Sequence, residues 1–120
     1  MQVFEYFKDK ELFCKCGCKA LPGWDAVEAL YVLRIMYGRK IDIRSAARCR
    51  THNREVGGKD NSRHITDDIR QGNAFDISVP PVDEVEVIRL AIAAGFTGIG
   101  VKNNDFIHID RRSKPAFWTY

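Results

Sequence analysis

No apolar run in these 120 residues approaches the ~20 that a bilayer-crossing helix needs, which removes membrane-span classes of function. The opening stretch, MQVFEYFKDKELF, mixes charges with aromatics and lacks an apolar centre, so no signal peptide is expected. There is no internal repeat, low-complexity tract or linker, and the expectation is one domain over residues 1–120. A large excess of one charge sign is lacking too. Nineteen Lys and Arg face sixteen Asp and Glu, for a net +3. The basic residues are scattered rather than set in a stripe with interleaved aromatics, which argues against a nucleic-acid partner. A pI of about 8.7 would suit a polyanion without choosing one. What is there is ordinary for a globular domain: 45% hydrophobic and 29% charged residues.

Cysteine occurs four times, as Cys14, Cys16, Cys18 and Cys49. The run Cys14-Lys-Cys-Gly-Cys18 departs from the usual C-x2-C zinc spacing, and no second pair follows. A packed loop, which a disulfide could tie to Cys49, is therefore expected ahead of a structural zinc site. With no secretory signal, reduced thiols are the default.

Residues 1–23 read as irregular. Residues 24–37 read as a buried helix with Val27, Leu30 and Tyr31 on one face, stopped by Gly38. Ile41 to Arg44 alternates like a strand, and 49–55 suits a short helix. Residues 59–72 are loop-like. From Asn73 to Val79 the alternation is clean: Phe75, Ile77 and Val79 face one way, Ala74, Asp76 and Ser78 the other. Pro80-Pro81 ends that strand. Residues 82–94 read as a second amphipathic helix with Val85, Ile88 and Ile92 on one face. Strands are expected at 98–101 and 106–110, around a turn at 102–105. The tail, with Phe117, Trp118 and Tyr120, is expected to cover the core. The fold class is α+β, a small antiparallel sheet with flanking helices on one side.

Histidine is scarcer still, at three residues. Asp76 lies opposite the apolar face of its strand, and His108 stands in the same relation to Ile107 and Ile109. His64 sits just after Ser62, at the rim. Two imidazoles and a carboxylate make the three-ligand set of a catalytic zinc, with a fourth position left for water. Asp105, three residues before His108, could then serve as general base and later as acid. The structural alternative is a satisfied core histidine at 108 and a turn-capping Asp105. His52 reads as a solvated helix residue.

The ordered set Arg48, Asn53…Val56-Gly57-Gly58, Ser62-Arg-His64, Gly72-Asn-Ala74-Phe-Asp76 and Asp105-Phe-Ile-His108 resembles the zinc D-Ala-D-Ala carboxypeptidases. That family of peptidoglycan peptidases includes phage L-Ala-D-Glu endopeptidases and shares its fold with the Hedgehog signalling domain. Cys14-Lys-Cys-Gly-Cys18 looks like the opening of one branch. The resemblance covers nearly the whole chain. It implies one zinc ion held by His64, Asp76 and His108, with Asp105 as acid/base. It also implies that Arg48 steadies the substrate carbonyl or oxyanion and that Ser62 contacts substrate. One departure stands out. His64 and Asp76 lie twelve residues apart, against seven in the family pattern, so five residues are inserted within Ile65–Gln71. A loop insertion is thermodynamically mild, but it brings Asp67 and Asp68 as competing carboxylates.

The resemblance thus implies a zinc metallopeptidase whose substrate is a peptidoglycan stem peptide, cut by D,D-carboxypeptidase or L-Ala-D-Glu endopeptidase action. A monomer of phage or prophage origin is expected, present in the host cytoplasm or virion and acting on the wall in the periplasm. The competing expectation is a non-catalytic, zinc-stabilised binding module of the same fold. Asp105 and Arg48 weigh against it.

Overall fold

The computed structural model describes residues 6–67 and 70–120. Helix α1 is a single turn, Asp9–Leu12, within the stretch expected to be irregular. Helix α2 spans Trp24–Tyr37 and ends where Gly38 takes a left-handed φ of 75° and donates its N–H to the Arg34 carbonyl. Val27, Leu30 and Tyr31 lie in the core, as their spacing predicts. The short strand β1, Asp42–Ser45, leads through a loop to helix α3, Arg50–Glu55. Strand β2 is Ala74–Ser78. A 3-10 turn at Pro81–Asp83 then opens helix α4, Glu84–Ala93. Strands β3 (Gly98–Lys102), β4 (Phe106–Asp110) and β5 (Ala116–Thr119) follow. Among the described residues, no helix is long and apolar enough to cross a membrane.

The strands form one sheet in the order β1-β2-β4-β3-β5. Every pairing is antiparallel except that of β5, which runs parallel to β3. The sheet is therefore mixed, not purely antiparallel, because the tail adds a strand instead of folding over the core. Phe117 and Tyr120 are exposed, and Trp118 lies on the sheet face away from the core. Helix α4 also corrects its predicted face. Val87, Leu90 and Ala91 are buried, while Val85 is 81% and Ile92 57% exposed. The helix carries two apolar stripes, and packing against α2 selects one of them.

One sheet face holds Phe75, Ile77, Ile99, Ile107 and Ile109, packed against Val27, Leu30 and Leu33 of α2 and against the Val87 stripe of α4. Burying each such side chain contributes roughly 1.5–3 kcal/mol. It also locks the register, since a one-residue slip of β2 or β4 would drive Asp76 or His108 into the core. The opposite face is thereby assigned to the polar side chains.

Candidate metal centre

Register places Asp76 of β2 opposite His108 of β4, His108 opposite Gly100 of β3, and Gly100 opposite Trp118 of β5. These four residues form one row across the sheet. Gly100 is required because a Cβ there would overlap the Trp118 indole. Its absence lets the indole lie over β3, with its ring centre 5.3 Å from that of His108. In the adjacent row, Gly98 lies opposite Asp110, and a Cβ on Gly98 would overlap both Asp110 and Arg112. The two glycines of Gly98-Ile-Gly100 thus form a trough that admits Arg112 and Trp118, while Ile99 between them points into the core.

His64 comes from the loop after α3 and is buried. Its backbone is pinned on both sides: the carbonyl accepts from Arg48 N–H at 2.8 Å, and the N–H donates to Ser62 Oγ at 3.2 Å. Its ring Nδ1 lies 2.6 Å from the Ala46 carbonyl. A carbonyl can only accept, so Nδ1 carries the proton and Nε2 presents a lone pair. That Nε2 is 3.2 Å from Asp76 Oδ1, yet it is buried without a hydrogen-bond partner, because two acceptors face each other.

His108 is oriented in the mirrored sense. Nε2 lies 2.8 Å from Asp110 Oδ2, and Nδ1 lies 3.0 Å from Asp76 Oδ1. Burial alone would lower the imidazole pKa, but hydrogen bonds and charge from Asp110 and Asp76 outweigh it and raise it. Burial likewise opposes ionisation of Asp76, but the hydrogen bond and charge of His108 hold its carboxyl well below the usual range. Asp110 is fully buried and kept ionised by Arg112, whose Nη2 donates at 2.6 Å, and by His108.

His64, Asp76 and His108 therefore bring one donor atom each within 4.8 Å of the others. A tetrahedral zinc with bonds of about 2.0–2.1 Å holds its donors about 3.3 Å apart, close to the spacings seen here. The unpartnered lone pair of His64 Nε2, aimed at the Asp76 carboxylate that His108 Nδ1 also faces, suits a cation there, so the residues fit the metal that the resemblance implies.

Arg48 reaches the same place. Its guanidinium donates to Ser45 Oγ at 3.2 Å, Asn53 Oδ1 at 3.2 Å and Asp76 Oδ2 at 3.5 Å. Asn53 is buried and donates to the Lys59 carbonyl. Gly57 adopts φ 74°, and a Cβ on Gly58 would overlap Asn53. The Asn53…Gly57-Gly58 pattern is thus the bracket that aims Arg48.

Asp105 is not one of the three grouped donors. It lies in the β3–β4 turn, 3.3 Å from Arg44 and 3.4 Å from Lys102, with its carboxylate partly open to solvent. Ser62 uses its hydroxyl to accept the His64 N–H. His52 is partly buried, and its N–H donates to Cys49 Sγ.

The insertion is absorbed in a closed loop. Asp67 N–H donates to the Arg70 carbonyl, Gly72 N–H to Thr66 Oγ1, and Asn73 N–H to the Arg63 carbonyl. His64 and the start of β2 are thereby returned to each other. Asp67 pairs with Arg50 at 2.7 Å, and Asp68 lies outside the described residues.

Asp110, Arg112, Trp118 and the Ala46 carbonyl do not figure among the residues expected from sequence. Asp110 was within reach of a period-2 argument, since it shares the His108 face of β4. The others depend on contacts between distant segments.

No curated protein matches the chain. The family model described as Peptidase M15 matches residues 5–110. With its sheet, its two oriented imidazoles and its buried carboxylate accounted for, the chain belongs to the M15 peptidase family.

Proposed function

We propose that this M15 peptidase is a single-domain, zinc-dependent enzyme that cleaves peptidoglycan stem peptides, as a D,D-carboxypeptidase or L-Ala-D-Glu endopeptidase. Cell-wall degradation by a phage or prophage product is the setting that this reading favours. The observation that carries it is the convergence of His64 Nε2, His108 Nδ1 and Asp76 beside the Arg48 guanidinium.

His64, Asp76 and His108 would hold zinc, which supplies Lewis acidity toward the scissile carbonyl and acidifies the attacking water to a pKa of roughly 7. The Ala46 carbonyl and Asp110 fix which imidazole nitrogen faces the ion. The Arg48 guanidinium donates in a planar fork, so it suits the oxygen on which negative charge grows. Its contacts with Ser45 and Asn53 hold that fork in place before substrate arrives. The Asp105 carboxylate would take the proton of the attacking water and return it to the leaving amine. Its oxygens lie 3.3 Å from Arg44 and 3.4 Å from Lys102. Ser62 sets the backbone of His64 and lies near enough in sequence to meet substrate at the rim.

The test is digestion of purified sacculi by the zinc-loaded protein, with mass spectrometry of the released muropeptides. Stem peptides shortened at one defined bond are expected, and that bond identifies the specificity. Binding to sacculi with no shortened peptide would favour the non-catalytic module instead.

A further inference from the structure

We propose a second metal site, a structural zinc held by the four thiolates of Cys14, Cys16, Cys18 and Cys49. Their sulfur atoms all lie within 4.8 Å of one another. The separations are 3.5 Å for Cys14–Cys16, 3.6 Å for Cys16–Cys49 and 3.9 Å for Cys14–Cys49. A disulfide needs about 2.05 Å, so the expected bridge to Cys49 is not formed. A tetrahedral zinc with bonds of about 2.3 Å holds its sulfurs about 3.8 Å apart, which is the spacing here.

The backbone is shaped to the same end. Gly17 at φ 89° and Lys19 at φ 64° curl the chain, so that three cysteines two residues apart point to one side. The Gly17 N–H donates to the Cys14 carbonyl, and the Cys14 N–H to that of Ala20. The fourth ligand arrives from the loop before α3. Cys49 donates its N–H to Cys14 Sγ at 3.4 Å, and its own Sγ accepts the His52 N–H at 3.3 Å. Such N–H donors orient sulfur ligands and offset their charge. An all-thiolate donor set selects a soft or borderline cation such as zinc over magnesium or calcium. Binding is an exchange without redox change: four thiols release four protons and the ion takes four sulfurs.

The site has a consequence for the first one. Cys49 directly follows Arg48, and the neighbouring Ala47 N–H donates to the Leu12 carbonyl at 3.4 Å. A metal joining residues 14–18 to Cys49 anchors the segment that carries Arg48, so it serves as a positioning device for the guanidinium.

The test is metal counting on the full chain, purified in reducing buffer without chelator. Two zinc ions per chain are expected, and one in the His64→Ala/His108→Ala variant. Titration of that variant with p-hydroxymercuribenzoate should release its remaining zinc to a chromogenic chelator. Cobalt-substituted wild type should show the intense near-ultraviolet sulfur-to-cobalt absorption that imidazoles and carboxylates cannot give. The single variants Cys16→Ser and Cys18→Ser should each weaken that absorption, and the double variant more so, while the protein stays folded by circular dichroism. Absence of the cobalt–thiolate band from wild type, no zinc release by the mercurial, or an intact mass showing disulfides would each overturn the proposal. The count of two rests on the peptidase reading as well, but the cobalt–thiolate band, the mercurial release and the intact mass report on the cysteines alone, so failure of either reading is distinguishable.

Discussion

Nε2 of His108 and Oδ2 of Asp110 stand 2.8 Å apart on one strand, two residues from each other. That contact turns Nδ1 toward Asp76, and Arg112 holds Asp110 in place from the other side. Replacing Asp110 with Asn should weaken zinc at the histidine site by about 10–100-fold. Competition with a chelator of known affinity would measure it, and unchanged affinity would separate Asp110 from the site.

Arg48→Lys keeps the charge but loses the fork that Ser45, Asn53 and Asp76 share. Hydrolysis should fall by about 10²–10³ in kcat while zinc content stays constant. Steady-state rates on a muropeptide, with elemental analysis of the same sample, would show whether both parts hold.

Asp105→Ala should leave zinc bound and lower turnover by about 10²–10⁴. Retained turnover would remove Asp105 from the mechanism and leave it as a partner of Arg44 and Lys102.

Gly100→Ala puts a methyl group where the Trp118 indole lies. A loss of about 1–3 kcal/mol is expected, as in other overpacked sites. Urea unfolding would measure it, and the indole emission should shift to the red as Trp118 leaves His108.

Tyr37 donates its hydroxyl to Asp83 Oδ2 at 2.6 Å. Burial, then the hydrogen bond and charge of Asp83, raise its pKa above the ordinary 10.0. The folded state therefore keeps this proton after the unfolded chain has lost it. The contribution is full below about pH 10 and is lost as pH rises through the folded value. Tyr37→Phe should be less stable than wild type at pH 8, with the gap narrowing at pH 11 in denaturant titrations.

Some of the site was legible before folding was considered. The alternation around Asp76 and His108 is local, so it identified two strands and the face on which each polar side chain stands. The choice of face on α4 was not local. Its sequence offers Val85-Ile88-Ile92 and Val87-Leu90-Ala91 as rival stripes, and only docking against α2 separates them. Strand β5 was hidden for the same reason, since its parallel pairing with β3 joins segments whose own pattern carries no sign of it. The meeting of the four cysteines was not legible either, because C-x-C-x-C spacing carries no sign of the left-handed turn at Gly17 and Lys19.

By itself the amino-acid order marked the two long helices, strands β1 to β4 and the polar faces of Asp76 and His108, because periodicity is a property of short segments, while the role of Arg48 was implied by the resemblance. Tertiary structure alone decided which imidazole nitrogen faces Asp76, that Asp67 turns to Arg50, and that four sulfurs meet beside Arg48. Each of those outcomes depends on distances between residues far apart along the chain, and these are set only when the core closes.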